Sequence, residues 1–176
     1  MVDYNTFYNE LSRITGAGNY AETPKLNPSK PTQVNITSPS LGNYGSSTGG
    51  GGDELTRLMN AIRSKESTNN YRAINRDSGA LGGYQIMPFN LFGGSEWDRK
   101  ALGRDVSREE FLGSPQIQDA IARWQLGNYL KKYGAAGAAA AWYGGEGSVK
   151  NMHSTKTQTG GYPSIYAYWK AVLDAM

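Results

Sequence analysis

Glu66 stands where an apolar side chain would be expected. Leu55, Leu58, Met59 and Ile62 recur at i, i+3, i+4 and i+7, the spacing of one apolar helix face, and Glu66 follows Ile62 at i+4. Burying an unpaired carboxylate is costly, and the usual response is a raised pKa. A carboxylic acid that keeps its proton near neutral pH can protonate the leaving oxygen of a glycosidic bond. Spacing alone also fits a glutamate fraying into solvent at a helix end.

A second group of residues offers polar recognition. In Ser78-Gly79-Ala80-Leu81-Gly82-Gly83-Tyr84-Gln85-Ile86-Met87-Pro88 the glycines let backbone approach a ligand closely and adopt positive φ. Gln85 supplies both a donor and an acceptor, as an N-acetyl group or a sugar hydroxyl requires. A plain glycine turn beside a core strand is the simpler alternative. Trp142 and Tyr143 could stack on sugar faces or belong to the core, and Tyr168 lies on an apolar helix face that packs its ring. A two-carboxylate mechanism needs a second acid about 5–10 Å from the first; Asp77, Glu96, Asp98 and Glu146 are the candidates.

Other chemistries are excluded. The chain has no cysteine, so disulfides and thiolate metal sites are absent. Its single histidine, His153, sits in a polar stretch as a solvated loop residue, and zinc hydrolase chemistry of the His-Glu-x-x-His kind has no ligands here. No cofactor and no metal are expected.

The elements that must hold these residues fill residues 53–176. Asp53 can cap the first helix of this part, with Glu54 at its positive end. Ser107-Arg108-Glu109-Glu110 has capping-box spacing for a brief helix. Ser114-Pro115 opens a longer one, with Ile117, Ile121 and Trp124 on one side and a stop at Gly134. An Ala-rich run over 135–143 ends at Gly144-Gly145. A final helix begins near Pro163, with Ile165, Tyr168, Trp169, Val172 and Leu173 as its buried face. The fold class is α+β, mostly α, with one small β or irregular segment after the first helix.

Residues 1–52 differ in kind. Hydrophobic content over the 176 residues is 38%, below the roughly 45–50% of globular proteins, and the deficit is concentrated here. Tyr4, Phe7, Tyr8, Leu11 and Ile14 give a short amphipathic helix over 3–15, which needs a surface to pack on, in residues 53–176 of its own chain or in another subunit. From Gly16 to Gly52 the chain is rich in Pro, Asn, Ser, Thr and Gly, the composition of a linker. Arg13, Lys25 and Lys30 balance Asp3, Glu10 and Glu22, so the net charge of +3 belongs to residues 53–176. That surplus suits an anionic polymer, and no Lys/Arg run with interleaved aromatics points to nucleic acid. No apolar run is long enough for a transmembrane helix, and Met1-Val2-Asp3-Tyr4-Asn5 does not read as the start of a secretory signal.

Three stretches together carry a resemblance. Glu66-Ser67, followed after a gap by Gly79-Ala80-Leu81-Gly82-Gly83-Tyr84-Gln85-Ile86-Met87-Pro88, resembles the signature of the soluble lytic transglycosylase and goose-type lysozyme superfamily. In that family a Glu-Ser pair ends a helix and precedes Gly-Ala-x-Gly-Leu-Met-Gln-x-Met-Pro. Ala141-Trp142-Tyr143-Gly144-Gly145-Glu146-Gly147-Ser148-Val149 looks like the family's Ala-Tyr-Asn-Ala-Gly-x-Gly segment. Pro163 to Leu173 is similar to its closing helix, with Tyr168 in the place of a tyrosine near the catalytic Glu. The motifs keep the family's order over roughly residues 55–173. Departures are Thr68 where Gly is frequent, Gly83-Tyr84 for Leu-Met, Trp142-Tyr143 for Tyr-Asn, and Ser164-Ile165 for Glu-Thr.

The resemblance implies a lysozyme-like domain over 53–176 that cleaves the MurNAc–GlcNAc β-1,4 bond of peptidoglycan, with Glu66 as its single catalytic carboxylate. It implies substrate contacts from Ser67, Ser78, Gly82, Tyr84, Gln85 and Met87 on one side, and from Trp142, Tyr143 and Tyr168 on the other. The expected reaction is lytic transglycosylation leaving a 1,6-anhydro product, with hydrolysis as the alternative. Phage-borne members often vary at the same positions, so the drift reads as divergence within an active group. A wall-digesting enzyme whose start does not read as a secretory signal suits a phage, and the amphipathic start and linker favour a virion protein (tail or internal) docked on other virion proteins through residues 1–52. A free lysin, and a non-catalytic virion protein of this fold, are the alternatives.

Overall fold

The computed structural model describes residues 51–176. The expected helix over 3–15 and the linker that follows it, up to residue 50, lie outside the described residues.

Helix α1, Gly51–Ser67, buries Leu58, Met59, Ala61 and Ile62 and brings Glu66 into its last turn. It starts before Asp53, which is therefore a first-turn residue and not the cap. There its carboxylate still meets the positive helix end, and it pairs with Arg57 one turn on. Thr68 (φ 55°) and Asn69 (φ 64°) then turn the chain out of the helix, their N–H groups donating to the carbonyls of Ser64 and Arg63. The segment after α1 holds two isolated antiparallel bridges, Ile74 with Leu81 and Leu81 with Ile86, so the small β element is a looped tongue rather than a sheet.

Three short helices follow: α2, Pro88–Phe92; α3, Trp97–Leu102; and α4, Arg108–Gly113. Asp98, buried at the start of α3, accepts from the N–H groups of Arg99 and Val106 and so fastens the loop before α4. Ser107 caps α4 by accepting from the Glu110 N–H, as the capping-box spacing predicts.

The long helix α5, Pro115–Gly144, is capped by Ser114, whose Oγ accepts from the Ile117 N–H. It breaks at Gly134 (φ 68°, ψ 176°), where the sequence places its stop, and resumes through the Ala-rich run. Gly137 and Ala138 to Ala141 are all buried. Small side chains there let α5 approach α1 and the last helix closely; their packing, more than propensity, holds this half in place. A 3-10 turn, Glu146–Asn151, and α6, Ile165–Asp174, complete the domain, with Ser164 capping α6 through the Ala167 N–H.

One core cluster runs through Leu58, Ile62, Leu81, Tyr84, Phe111, Ile121, Leu126, Tyr168 and Val172. Each fully buried Leu, Ile or Phe of this set stabilises by roughly 1.5–3 kcal/mol. On α6 only Tyr168 and Val172 are fully inside, with Trp169 packed at the margin and donating from Nε1 to the Met152 carbonyl. Among the described residues no helix is long and apolar enough to cross a membrane.

Candidate active site

Glu66 and Tyr168 meet across the domain, from the last turn of α1 and the buried face of α6. The Tyr168 hydroxyl donates to Glu66 Oε1. Burial pushes the Glu66 carboxyl above the usual carboxylate range, against the opposing pull of the Tyr168 hydrogen bond and the Lys65 charge. Burial and the Glu66 charge push the Tyr168 hydroxyl well above its ordinary value, so it stays a donor. Oε1 accepts that bond, so a proton taken up by the carboxyl would sit on Oε2.

Tyr168 is itself held. Tyr143 stacks on its ring, with centroids 4.1 Å apart and planes 7° apart, and the Tyr143 hydroxyl donates to the Pro163 carbonyl at 2.8 Å. Lys65 Nζ lies 5.5 Å from the ring centroid, within cation–π range.

Behind Glu66, the tongue is fixed to the end of α1. Ser67 Oγ donates to the Gly83 carbonyl (2.8 Å) and accepts from the Asn70 N–H (3.0 Å). These bonds make Ser67 a brace, with its hydroxyl already engaged. Gly82, at φ 74°, has no room for a side chain, because a Cβ there would lie 2.2 Å from Gln118 Oε1. Gln85 adopts φ 50°, a left-handed conformation rare for a residue with a side chain, and its Nε2 donates to the Gly82 carbonyl at 3.0 Å.

Tyr84 departs from the sequence expectation of a substrate contact. Its side chain is wholly buried, and its hydroxyl donates to Asp119 Oδ1 at 2.7 Å. Tyr71 donates to the same oxygen at 2.8 Å and Arg63 approaches it at 3.4 Å. A ring committed to the core and a hydroxyl committed to Asp119 leave nothing for a ligand. Gly82 is likewise buried, so its part is structural. Ser78 is exposed and accepts from the Ala80 N–H within the tongue; it does not line the cleft described next.

A cleft of about 630 Å³ opens beside Tyr143, with Met87, Asn90, Trp97, Trp124, Asn128 and Trp142 among its walls. Met87, Trp142 and Tyr143 are the sequence-predicted residues that the structure brings together here. Trp142 donates from Nε1 to the Tyr84 carbonyl at 3.3 Å and lies 5.7 Å from Trp97, so it is half structural. Trp97 and Trp124 have no hydrogen-bond partner for their indole N–H among the described residues. Trp124 was expected on the apolar side of α5 with Ile117 and Ile121; Ile121 is buried, whereas Trp124 is half-exposed into the cleft.

Asn90, Trp97, Asn128 and the Arg63–Asp119 pair fall outside the motifs. The one available signal was a solvent-facing tryptophan in a polar neighbourhood, which sequence alone does not separate from core. Three of the four other carboxylates considered are engaged elsewhere. Asp98 caps backbone, Glu96 pairs with Arg99, and Asp77 is exposed in the tongue. Glu146 lines the cleft but accepts from both Lys132 Nζ (2.8 Å) and the Tyr133 hydroxyl (2.6 Å), which hold its carboxyl below the ordinary range.

The half-buried Glu66 carboxyl with its Tyr168 donor, and the aromatic cleft that Tyr143 lines next to them, make up the candidate site. The chain matches no curated protein. Residues 52–165 match the family model described as the transglycosylase SLT domain. That match spans well over half of the 176 residues, and the chain therefore belongs to the transglycosylase SLT domain family, whose members are peptidoglycan lytic transglycosylases.

Proposed function

We propose that Glu66 is the single catalytic carboxylate of this transglycosylase, acting first as acid and then as base. The observation that carries the proposal is the placement of the half-buried Glu66 carboxyl against the Tyr168 hydroxyl, where burial raises its pKa. In the acid step Glu66 Oε2 gives its proton to the oxygen joining MurNAc C1 to GlcNAc, and that bond breaks. In the second step the carboxylate takes the proton of the muramyl C6 hydroxyl, whose oxygen bonds to C1 and closes the 1,6-anhydro ring. The N-acetyl group can assist at C1, so no second protein carboxylate is needed. The engagement of Asp98, Glu96 and Glu146 elsewhere supports this over a paired-carboxylate hydrolysis. Mass spectrometry of released muropeptides is the test: products lighter by one water mark the anhydro ring, and products of full mass would overturn it in favour of hydrolysis.

The cleft supports binding of the strand on the Tyr143 side. Indole faces cover the apolar faces of pyranose rings, while Asn90 and Asn128 can exchange hydrogen bonds with N-acetyl groups. Trp124→Ala is expected to raise KM on soluble uncrosslinked strands about 5- to 10-fold, from a lost contact of about 1–1.4 kcal/mol, with kcat little changed. An unaltered KM would remove Trp124 from the site.

Tyr168→Phe separates orientation from packing. The ring can still stack on Tyr143, but Glu66 loses a bond that favours its ionised form, so its pKa rises further. Because the acid step needs the protonated carboxyl, the limb on which activity falls with rising pH moves to higher pH. Lost orientation lowers kcat at the optimum by about 10-fold. A limb that stays in place or moves to lower pH would contradict the assigned role of the hydroxyl.

The setting we propose is a phage virion protein that opens the wall during genome entry, docked through residues 1–52. The amphipathic spacing of Tyr4, Phe7, Tyr8, Leu11 and Ile14, followed by a Pro/Gly/Ser/Asn-rich stretch, supports a tethered enzyme. Stoichiometric co-purification with particles is the expected result; a chain found only free in lysates would point to a lysin.

A further inference from the structure

We infer that Gln118 is a positioning residue that sets the glycine turn of residues 82–85 against Glu66; the inference rests on Glu66 as the catalytic carboxylate. Gln118 lies in the first turns of α5 and is wholly buried. A buried primary amide has two donors and an acceptor to satisfy, and leaving them unpaired is costly. Here each is used on a different segment. Oε1 accepts from the Gly83 N–H at 2.8 Å, while Nε2 donates to the Tyr71 carbonyl at 2.9 Å and the Phe111 carbonyl at 2.8 Å. One side chain thus ties the turn, the start of the tongue and the end of α4.

The other face of the same turn leads to the catalytic group. The Gly83 peptide that gives its N–H to Gln118 lies next to the Gly83 carbonyl, which accepts from Ser67 Oγ at 2.8 Å, and Ser67 is covalently next to Glu66. Gln85, at the far end of the turn, is bonded back to the Gly82 carbonyl through both its N–H (3.2 Å) and Nε2 (3.0 Å). Its positive φ lies in a turn that is held on both sides, by Ser67 and by Gln118. Gly82 sits so close to Gln118 Oε1 that the amide and the glycine fix each other's place. Gln118 touches no residue of the cleft wall in these bonds, so it governs the geometry of the cut more than the grip on the strand.

The test measures anhydro-muropeptide release by the full chain across pH, with circular dichroism and melting on the same samples, for wild type, Gln118→Leu, Gln118→Glu, Ser67→Ala and Glu66→Gln. Gln118→Leu is expected to stay folded below its melting transition, with kcat about 10- to 100-fold lower and KM nearly unchanged, since small misplacements cost this much. A merely structural role would lower the melting temperature and leave kcat intact in the folded protein. Gln118→Glu keeps the acceptor, and while protonated one donor; when ionised it faces two carbonyl oxygens. Its activity is therefore close to wild type in acid and falls away at a pH where wild type still turns over. Gln118→Leu and Gln118→Glu both folded, with wild-type kcat and superimposable pH profiles, would overturn the inference. If neither folds, Ser67→Ala decides by cutting the link at its less buried end: a kcat loss supports the inference and an unchanged kcat overturns it. Glu66→Gln keeps the two ideas apart. Retained activity there defeats the assignment of Glu66, whereas a dead Glu66→Gln beside a normal Gln118→Leu and a normal Gln118→Glu defeats only the positioning role.

Discussion

Glu66→Gln leaves the domain folded and lowers muropeptide release by about 10³-fold or more, within the range of a lost general acid–base that serves both steps. The amide is nearly isosteric and its oxygen can still accept from Tyr168, so packing against α6 is kept. What is lost is a transferable proton. The measurement is turnover on purified peptidoglycan together with a melting curve, and full activity in a folded variant would end the assignment. Stability gives a second readout with a definite sign. The Glu66 pKa is raised in the folded protein, so the native state binds this proton more tightly than the unfolded chain. The group therefore stabilises the fold below the ordinary carboxylate range, and that increment is lost as pH rises through the folded-state pKa. Glutamine has no such loss. The variant is expected to melt at or above the wild-type temperature at neutral pH, with the difference shrinking toward pH 4, the ordinary range of a glutamate carboxyl.

The same property explains what could be read from the sequence. Glu66 stood out because a carboxylate interrupted a helical apolar stripe, and the three ordered motifs gave the family. Helix starts at Ser107 and Ser114 were legible because capping is local chemistry, and the last helix was placed near Pro163 without its Ser164 cap. The break at Gly134 was legible because a left-handed residue calls for glycine. Tyr84 misled because it lies inside a recognition motif, while its burial depends on Asp119, thirty-five residues away. Trp124 misled in the opposite direction: its spacing fits the core, and only the placement of α3 shows that it faces a cleft. Gln118 carried the same signal as Glu66, a polar residue one turn before apolar Ile121 and Ala122, but its three partners come from segments that periodicity does not bring together. Thr68, where the family often has glycine, sits at φ 55°, which gives the physical reason for that preference.

Gly82→Ala is the substitution expected to damage the fold most for its size. The methyl group would enter a position 2.2 Å from Gln118 Oε1 and 3.0 Å from a Phe111 ring carbon, both of them wholly buried. The Gln118 amide has little freedom to give way, because turning it breaks bonds to Gly83, Tyr71 and Phe111. At φ 74° the backbone adds about 1 kcal/mol of left-handed strain for any residue with a Cβ. Overpacking of a close-packed core adds about 1–3 kcal/mol more. Together these give a loss of about 2–4 kcal/mol, or about 8–15 °C in melting temperature for a domain of this size. Gly79→Ala is the control: its φ of 75° is almost the same, but nothing lies within 4 Å of the added carbon. It should lose only the strain, about 1 kcal/mol. Equal melting temperatures for the two variants would show that the Gln118 contact is soft, and that the turn beside Glu66 is not held by packing from behind. A clear gap, with Gly82→Ala also losing turnover while still folded, would show that the glycine is there because the clamp behind Glu66 leaves no space for anything larger.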